Sequence, residues 1–201
     1  MEFYNKNHKD FSDTRHSVWK SVKDFCDSMH ICSNANSTIL DAGCGNGKNI
    51  IYMKNRFPMS NIVGFDTCIH FVDECKKKKL NVHFDDVRCI QYKNNSFDYI
   101  LCIAVLHHLK TEKERIEALK QLLRILKPGG KLLITMWAYE SDIYSKKRKF
   151  TLGNNIVMFK NYPRYYYVHN ESSFHNYCKT ITTAKYNIFW EKGNWNAIFE
   201  K

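Results

Sequence analysis

The chain has 201 residues, 44% hydrophobic and 14% aromatic, enough for one domain of ordinary size with a full core. It carries 31 Lys and Arg against 20 Asp and Glu, a net charge of +11, which favours a polyanionic partner such as RNA. No apolar run approaches the ~20 residues of a membrane span, the N-terminus has no signal-peptide core, and none of the eight cysteines is spaced C-x-x-C. A membrane partner and a metal site are therefore not expected. Several cysteines lie in apolar segments such as Leu101-Cys102-Ile103, so the expectation is reduced, buried thiols in a cytoplasmic protein, with the nucleus left open.

In chain order, residues 1–14 read as an irregular arm. Thr14 to Met29 reads as a helix with Val18, Trp19, Val22 and Phe25 at helical spacing, capped by Asp13 or Thr14. A strand is predicted over 38–42 and a helix over 47–56, ending before Pro58. A second strand runs from Asn61 to Asp66, and a helix over 69–79 closes on Lys76 to Lys79, which suit a helix C-terminus. Asn81 to Phe84 is a third strand, followed by Asp85-Asp86. Ser96 to Ala104 suits a central strand, and Glu112 to Leu126 is amphipathic and stopped by Pro128-Gly129-Gly130. Lys131 to Trp137 is a fifth strand. Residues 140–163 are polar, contain Lys146-Lys147-Arg148-Lys149, and read as a long basic loop on the substrate side. A short helix is predicted from Asn170 to Cys178. Strands over 181–189 and 194–200 flank a hairpin turn at Glu191-Lys192-Gly193-Asn194. The alternation predicts one domain over 1–201, with residues 1–30 an N-terminal arm and helix. Its sheet is mostly parallel, with helices on both faces and an antiparallel last strand.

The stretch Thr38 to Lys48 joins a short buried strand to a helix through Asp41, Gly43, Gly45 and Gly47. Glycines at such a turn let a nucleotide-like ligand lie against bare main chain. Asp66 follows 19 residues after Gly47 at the end of the next strand, where a carboxylate can accept from both ribose hydroxyls. Asp86-Val87 closes the third strand. The glycine spacing is G-x-G-x-G and not the G-x-G-x-x-G of nicotinamide folds.

This pattern resembles the class I S-adenosylmethionine-dependent methyltransferases. The resemblance implies a Rossmann-like, seven-stranded, mostly parallel sheet and S-adenosylmethionine as cofactor. Gly43, Gly45 and Gly47 would let its methionine half pass over the turn. Asp41 would face the ammonium directly or through water, and Asp66 the ribose. Asp86 would take the adenine amino group, a backbone amide at Val87 the ring, and Ile103 would complete the cofactor site.

Several segments are similar to one narrower family, the tRNA methyltransferases that esterify 5-carboxymethyluridine at the wobble position. They are Phe11-Ser12-Asp13-Thr14-Arg15 with Trp19, Asp41 to Lys48, Ile103-Ala104-Val105-Leu106-His107-His108, Trp137-Ala138-Tyr139-Glu140, Arg164-Tyr165-Tyr166-Tyr167-Val168 and Gly193-Asn194-Trp195. Tyr167 stands where that family usually has histidine, in a region expected to hold substrate. The resemblance implies tRNA as substrate and a small zinc-binding activator subunit paired with the sheet edge. A carboxylate is already ionised at neutral pH, its pKa being ~4, so no strong general base is required. The site must instead hold the carboxylate in line with the methyl group and strip its water. Arg15, Arg164 and Tyr165 are the expected holders, since arginine grips a carboxylate with two parallel hydrogen bonds. His108 is expected to face the pocket, and Trp137 to stack on the target base or fill core. Lys146 to Lys149 would contact tRNA phosphates, while the Val18, Trp19, Val22 and Phe25 stripe reads as core. Alternative readings are a small-molecule methyltransferase and a non-catalytic RNA-binding scaffold of the same fold.

Overall fold

The computed structural model describes residues 17–29, 31, 36–140, 149–159, 161–181 and 184–201. In chain order these form α1 (Lys20–Asp27), β1 (Thr38–Ala42), α2 (Lys48–Arg56), β2 (Asn61–Asp66), α3 (Ile69–Lys77), β3 (Val82–Phe84) and β4 (Phe97–Ile103). A 3-10 turn (Leu106–His108) leads to α4 (Glu112–Ile125), β5 (Leu126–Trp137), β6 (Gly153–Phe159) and β7 (Tyr162–Val168). The chain ends with α5 (Glu171–Ile181), β8 (Lys185–Glu191) and β9 (Asn194–Glu200). The main sheet has seven strands in the order β3-β2-β1-β4-β5-β9-β8. The first five are parallel, and β9 runs antiparallel to both β5 and β8. The chain steps outward from β1 to β3, then returns to place β4 on the other side of β1. Ligands bind at such a reversal, outside the carboxyl ends of the strands.

Alternate residues of the central strands serve the two faces, as the period of two in a strand requires. Ile39, Leu101 and Leu133 pack with Val22 and Phe25 of α1, Ile50 and Met53 of α2 and Val72 of α3. Leu40, Ile100, Leu132 and Ile134 pack with Leu119 and Leu122 of α4 and with Phe174 of α5. Each such buried side chain contributes about 1.5–3 kcal/mol relative to leaving it in water. Helix α4 begins at a capping box in which Thr111 and Glu114 bond each other's backbone amides. The β8–β9 turn is Lys192-Gly193, both at positive φ, the geometry a two-residue hairpin needs.

Three segments depart from the sequence expectation. The stretch 140–163 is not one long loop. Residues 153–159 pair antiparallel with 162–168 in a separate two-stranded sheet. Its pattern hides in the sequence because β6 exposes Ile156 and Met158 on one face and half-buries Val157 and Phe159 on the other, leaving no alternation of apolar and polar residues. Strand β5 starts at Leu126 rather than Lys131: Leu126 pairs with Phe97 and Lys131 with Tyr99, and residues 127–130 bulge out between them, with Gly129 at φ +74°. Strand β8 begins at Lys185, four residues later than expected, because α5 runs on to Ile181.

The first helix also departs from expectation: it runs Lys20–Asp27, with Trp19 as an extended N-cap and Ser17 and Val18 outside it, so neither Asp13 nor Thr14 caps it. Asp13, Thr14, Arg15, Cys32 and the basic run at Lys146, Lys147 and Arg148 lie outside the described residues. Among the described residues the seven cysteines are unpaired, all buried except Cys89. Among the described residues no helix is long and apolar enough to cross a membrane, and no cluster could hold a metal ion.

Candidate functional site

A cavity opens where the sheet reverses direction, above the carboxyl ends of β1, β2 and β4. Of the residues expected to hold the cofactor, Gly43, Gly45, Asp66, Asp86, Val87 and Ile103 line it. The turn is stapled to β2, since the amides of Gly43 and Cys44 both donate to the Phe65 carbonyl, at 2.8 and 2.9 Å. Gly45 has φ +53° and, among the described residues, no atom within 4 Å of where a Cβ would stand. Bare main chain thus faces the cavity, the surface against which a ligand can close up.

Two expected cofactor residues stand elsewhere. Gly47 is the left-handed N-cap of α2, and a Cβ there would come within 2.5 Å of Leu80 Cδ1. It shapes and packs the turn and does not form the wall. Asp41 is 1% exposed and lies beneath the turn, on the face of β1 that Ile39 also uses. Among the described residues neither of its oxygens accepts a hydrogen bond of normal geometry, although the Asn49 side chain is near enough to temper its charge. Burial, with a smaller push from Asp66, raises the Asp41 pKa to about 7. Direct contact with a ligand in the cavity is closed to Asp41, and a bridging water is the arrangement its position allows.

The other two acids are arranged as acceptors. Asp66 Oδ2 accepts from the Gly45 amide at 2.9 Å and Oδ1 from the Cys68 amide at 2.8 Å. Burial raises its pKa and those amides counter the rise. Each oxygen keeps a lone pair for a hydroxyl donor. Burial also works against the Asp86 charge, but the hydrogen bonds and charge of Arg88 outweigh it and hold its pKa below the ordinary carboxylate range. A glycine cradle and two acceptor carboxylates at successive strand ends fit a ligand with a cationic tail, a ribose and an amino-bearing base. That description is met by S-adenosylmethionine.

The opposite wall comes from the β6–β7 hairpin. Arg164 and Tyr166 line the cavity, both buried. The Arg164 guanidinium stands 4.9 Å from the Tyr166 ring, which stacks on Trp137 at 3.8 Å with 5° between planes. Phe150 leans on Trp137 at 5.0 Å. Trp137 does line the cavity, but the face that Tyr166 covers is closed to a target base.

Tyr165 does not line the cavity. It alternates outward between its two inward neighbours, and its hydroxyl lies 2.9 Å from the Lys110 carbonyl and 2.6 Å from Asn154 Oδ1. Its role is to pin the hairpin. Tyr167 also points away, stacked under the Arg115 guanidinium at 3.7 Å, so the exchange of histidine for tyrosine leaves the cavity wall unchanged. Tyr165→Phe is expected to cost about 1 kcal/mol of stability and several-fold in turnover, with cofactor affinity unchanged. A loss as deep as that of an Arg164 variant would mean that the hydroxyl acts on substrate. Steady-state kinetics beside calorimetry separates the two.

Both histidines of the 3-10 turn line the cavity, not His108 alone. His107 Nδ1 accepts the Trp137 amide at 3.1 Å, so when neutral the ring carries its proton on Nε2. His108 Nδ1 lies 2.9 Å from the Tyr165 carbonyl, which only accepts, so there the proton is on Nδ1. The second bond ties the hairpin to the end of β4. Sequence reasoning missed His107, Tyr166 and Trp19 as wall residues; Trp19 belongs to the core stripe yet also lines the cavity beside Lys48.

Two buried groups give opposing pH slopes to the unliganded protein. Asp41, raised to about 7, binds protons more readily folded than unfolded, so its contribution to stability is lost as pH rises from about 4 to about 7. His169, buried and lowered to about 4, contributes stability that is lost as pH falls from about 6.5 to about 4. Each slope amounts to about 3–4 kcal/mol and they largely cancel. Asp41→Asn is therefore expected to show stability rising with pH across this window, and His169→Gln stability falling with pH. Denaturant unfolding at several pH values checks both, and parallel curves for the two variants would contradict the assignments.

A family model described as a methyltransferase domain matches residues 40–134, the segment from β1 into β5. A tRNA (carboxymethyluridine(34)-5-O)-methyltransferase of Mus musculus is 34% identical over 155 residues, 77% of this chain and 22% of that protein. A protein of the same name from Schizosaccharomyces pombe is 29% identical over 229 residues, covering 100% of this chain and 95% of its own. The chain spans about a fifth to a third of the length of the first curated relatives it matches. Among solved structures, a chain of the complex between the Haloferax volcanii Trm112 methyltransferase activator and a methyltransferase has a TM-score of 0.71 at 14% identity, covering 99% of this chain and 94% of that one. A SAM-dependent methyltransferase of Methanosarcina mazei gives the same TM-score at 14% identity, over 92% and 99% of the two chains. Sequence and fold thus place residues 40–134 in the methyltransferase-domain family, whose cofactor is S-adenosylmethionine.

Proposed function

We propose that this chain methyl-esterifies the carboxylate of 5-carboxymethyluridine at the wobble position of tRNA. The observation that carries the reading is Arg164, a buried guanidinium in the cavity wall opposite the glycine turn. An arginine fork there suits a planar anion, and the relatives from mouse and fission yeast are named for this reaction. The bound cofactor supplies an electrophilic methyl group. The chain's own residues need only orient and desolvate the nucleophile, which fits a wall of arginine and stacked rings. Arg164 must hold the carboxylate without burying both oxygens in tight bonds, because over-stabilising the ground state slows attack.

A small zinc-binding activator subunit belongs to the same proposal. The Haloferax volcanii complex is with an activator of methyltransferases. The edge strand β3 here leaves Phe84 59% exposed, an apolar edge of the kind a paired subunit covers. The test is to incubate the chain with S-adenosylmethionine and tRNA bearing free carboxymethyluridine, with and without a Trm112-type activator, and analyse nucleosides by mass spectrometry. The methyl ester is the expected product. Turnover of small carboxylic acids without tRNA methylation would favour the small-molecule reading, and absence of any turnover with intact cofactor binding would favour a scaffold.

A further inference from the structure

We propose that Arg88 is a positioning residue for the cofactor's adenine: it fixes the Asp86 carboxylate in the cavity wall as the acceptor for the exocyclic amino group. Both residues line the cavity. The guanidinium grips Asp86 in a two-point fork, Nη2 at 2.6 Å from Oδ2 and Nε at 3.0 and 3.1 Å from Oδ1 and Oδ2. The Arg88 amide adds a further bond to Oδ1 at 2.9 Å. The other arm of the fork, Nη1, donates to Glu114 Oε1 at 2.6 Å. Glu114 is itself immobilised, its Oε2 accepting from the Thr111 amide at 3.0 Å in the capping box of α4. The carboxylate is therefore anchored through Arg88 to a helix end and has no freedom to swing.

The acceptor count gives the specificity. A carboxylate oxygen offers about two lone-pair directions. Oδ1 uses both, on the amide and Nε, while Oδ2 spends one on Nη2 and shares Nε weakly. One strong acceptor direction is left, on Oδ2. An amino group satisfies it. An oxo group in its place brings a second acceptor against an ionised carboxylate, a mismatch that costs more than a missing bond.

The test compares S-adenosylhomocysteine with S-inosylhomocysteine, in which oxo replaces amino and N1 changes from acceptor to donor, by calorimetry on the full chain; the N1 change is common to every variant, so the Arg88-dependent part of the preference is what is read. The wild type is expected to prefer the amino form at least tenfold. Arg88→Met should weaken the amino ligand about tenfold and cut the wild-type preference at least threefold. Arg88→Lys, a single-point cation, should fall between, and Asp86→Asn, which can donate to an oxo group, should erase or reverse the preference. Equal weakening of both ligands by Arg88→Met, or a preference left at the wild-type value in either Arg88 variant, overturns the proposal. Thermal melts identify any variant that fails to fold, and Arg88→Lys then decides. No tRNA enters the assay, so this result and the substrate assignment stand or fall separately.

Discussion

Arg164→Met is expected to lower kcat/KM for tRNA by about 10²–10⁴-fold while leaving the dissociation constant for S-adenosylmethionine within about threefold. Charge-assisted hydrogen bonds contribute ~1.5–3 kcal/mol each, and a two-point grip on a carboxylate involves two of them. Tenfold in rate corresponds to ~1.4 kcal/mol, which gives the stated range. Methionine keeps an unbranched stem against Tyr166 and Phe159, so the wall retains most of its packing. Arg164→Lys should recover part of the activity, because an ammonium supplies charge without the planar fork. Single-turnover methylation beside calorimetry makes the measurement. Parallel loss of cofactor affinity would show that Arg164 supports the donor site and not the acceptor.

The second large effect separates two glycines of one turn. A Cβ at Gly43 would stand 2.4 Å from Val105 Cγ2, in a residue with φ +76°. Left-handed backbone costs ~1–2 kcal/mol for an alanine, and overpacking adds ~1–3 kcal/mol. Gly43→Ala should therefore lose roughly 2–5 kcal/mol of stability. Among the described residues Gly45→Ala meets no atom within 4 Å and pays the backbone term alone. It should fold, with its methyl in the cavity, and bind S-adenosylmethionine about 10²-fold more weakly. Denaturant midpoints and calorimetry distinguish the two. Normal cofactor affinity in Gly45→Ala would mean that the main chain at 45 is not a contact surface.

What could be read from the residues follows from which features are local. The β1–turn–α2 unit, the capped helix α4 and the Lys192-Gly193 hairpin each depend on neighbours in sequence, and all were expected. The β6–β7 hairpin was not, because both faces of β6 carry apolar residues and the period of two disappears. Arg164 and Tyr165 are adjacent on one strand and cannot both face the cavity, so an inward Arg164 already implies an inward Tyr166. The burial of Asp41 was less accessible: residue type and motif place it beside the turn, but only the packing of α2 and α3 puts it beneath. Glu140, part of a motif that looked functional, turns out to be a brace. It accepts from the Glu171 amide at the start of α5 and from Trp195 Nε1 on β9. Arg15 lies outside the described residues, so its expected role rests on the sequence.

The hairpin has a further consequence for how such an enzyme changes its target. It lies in the chain between β5 and α5 and touches the rest of the molecule chiefly through the 3-10 turn and the end of β5. The donor cradle is built from earlier chain, at the ends of β1, β2 and β3. Acceptor choice and donor use are therefore written on separate stretches of sequence. If the proposed function holds, changing the hairpin's inward side chains changes which anion is accepted and leaves the affinity for S-adenosylmethionine as it was.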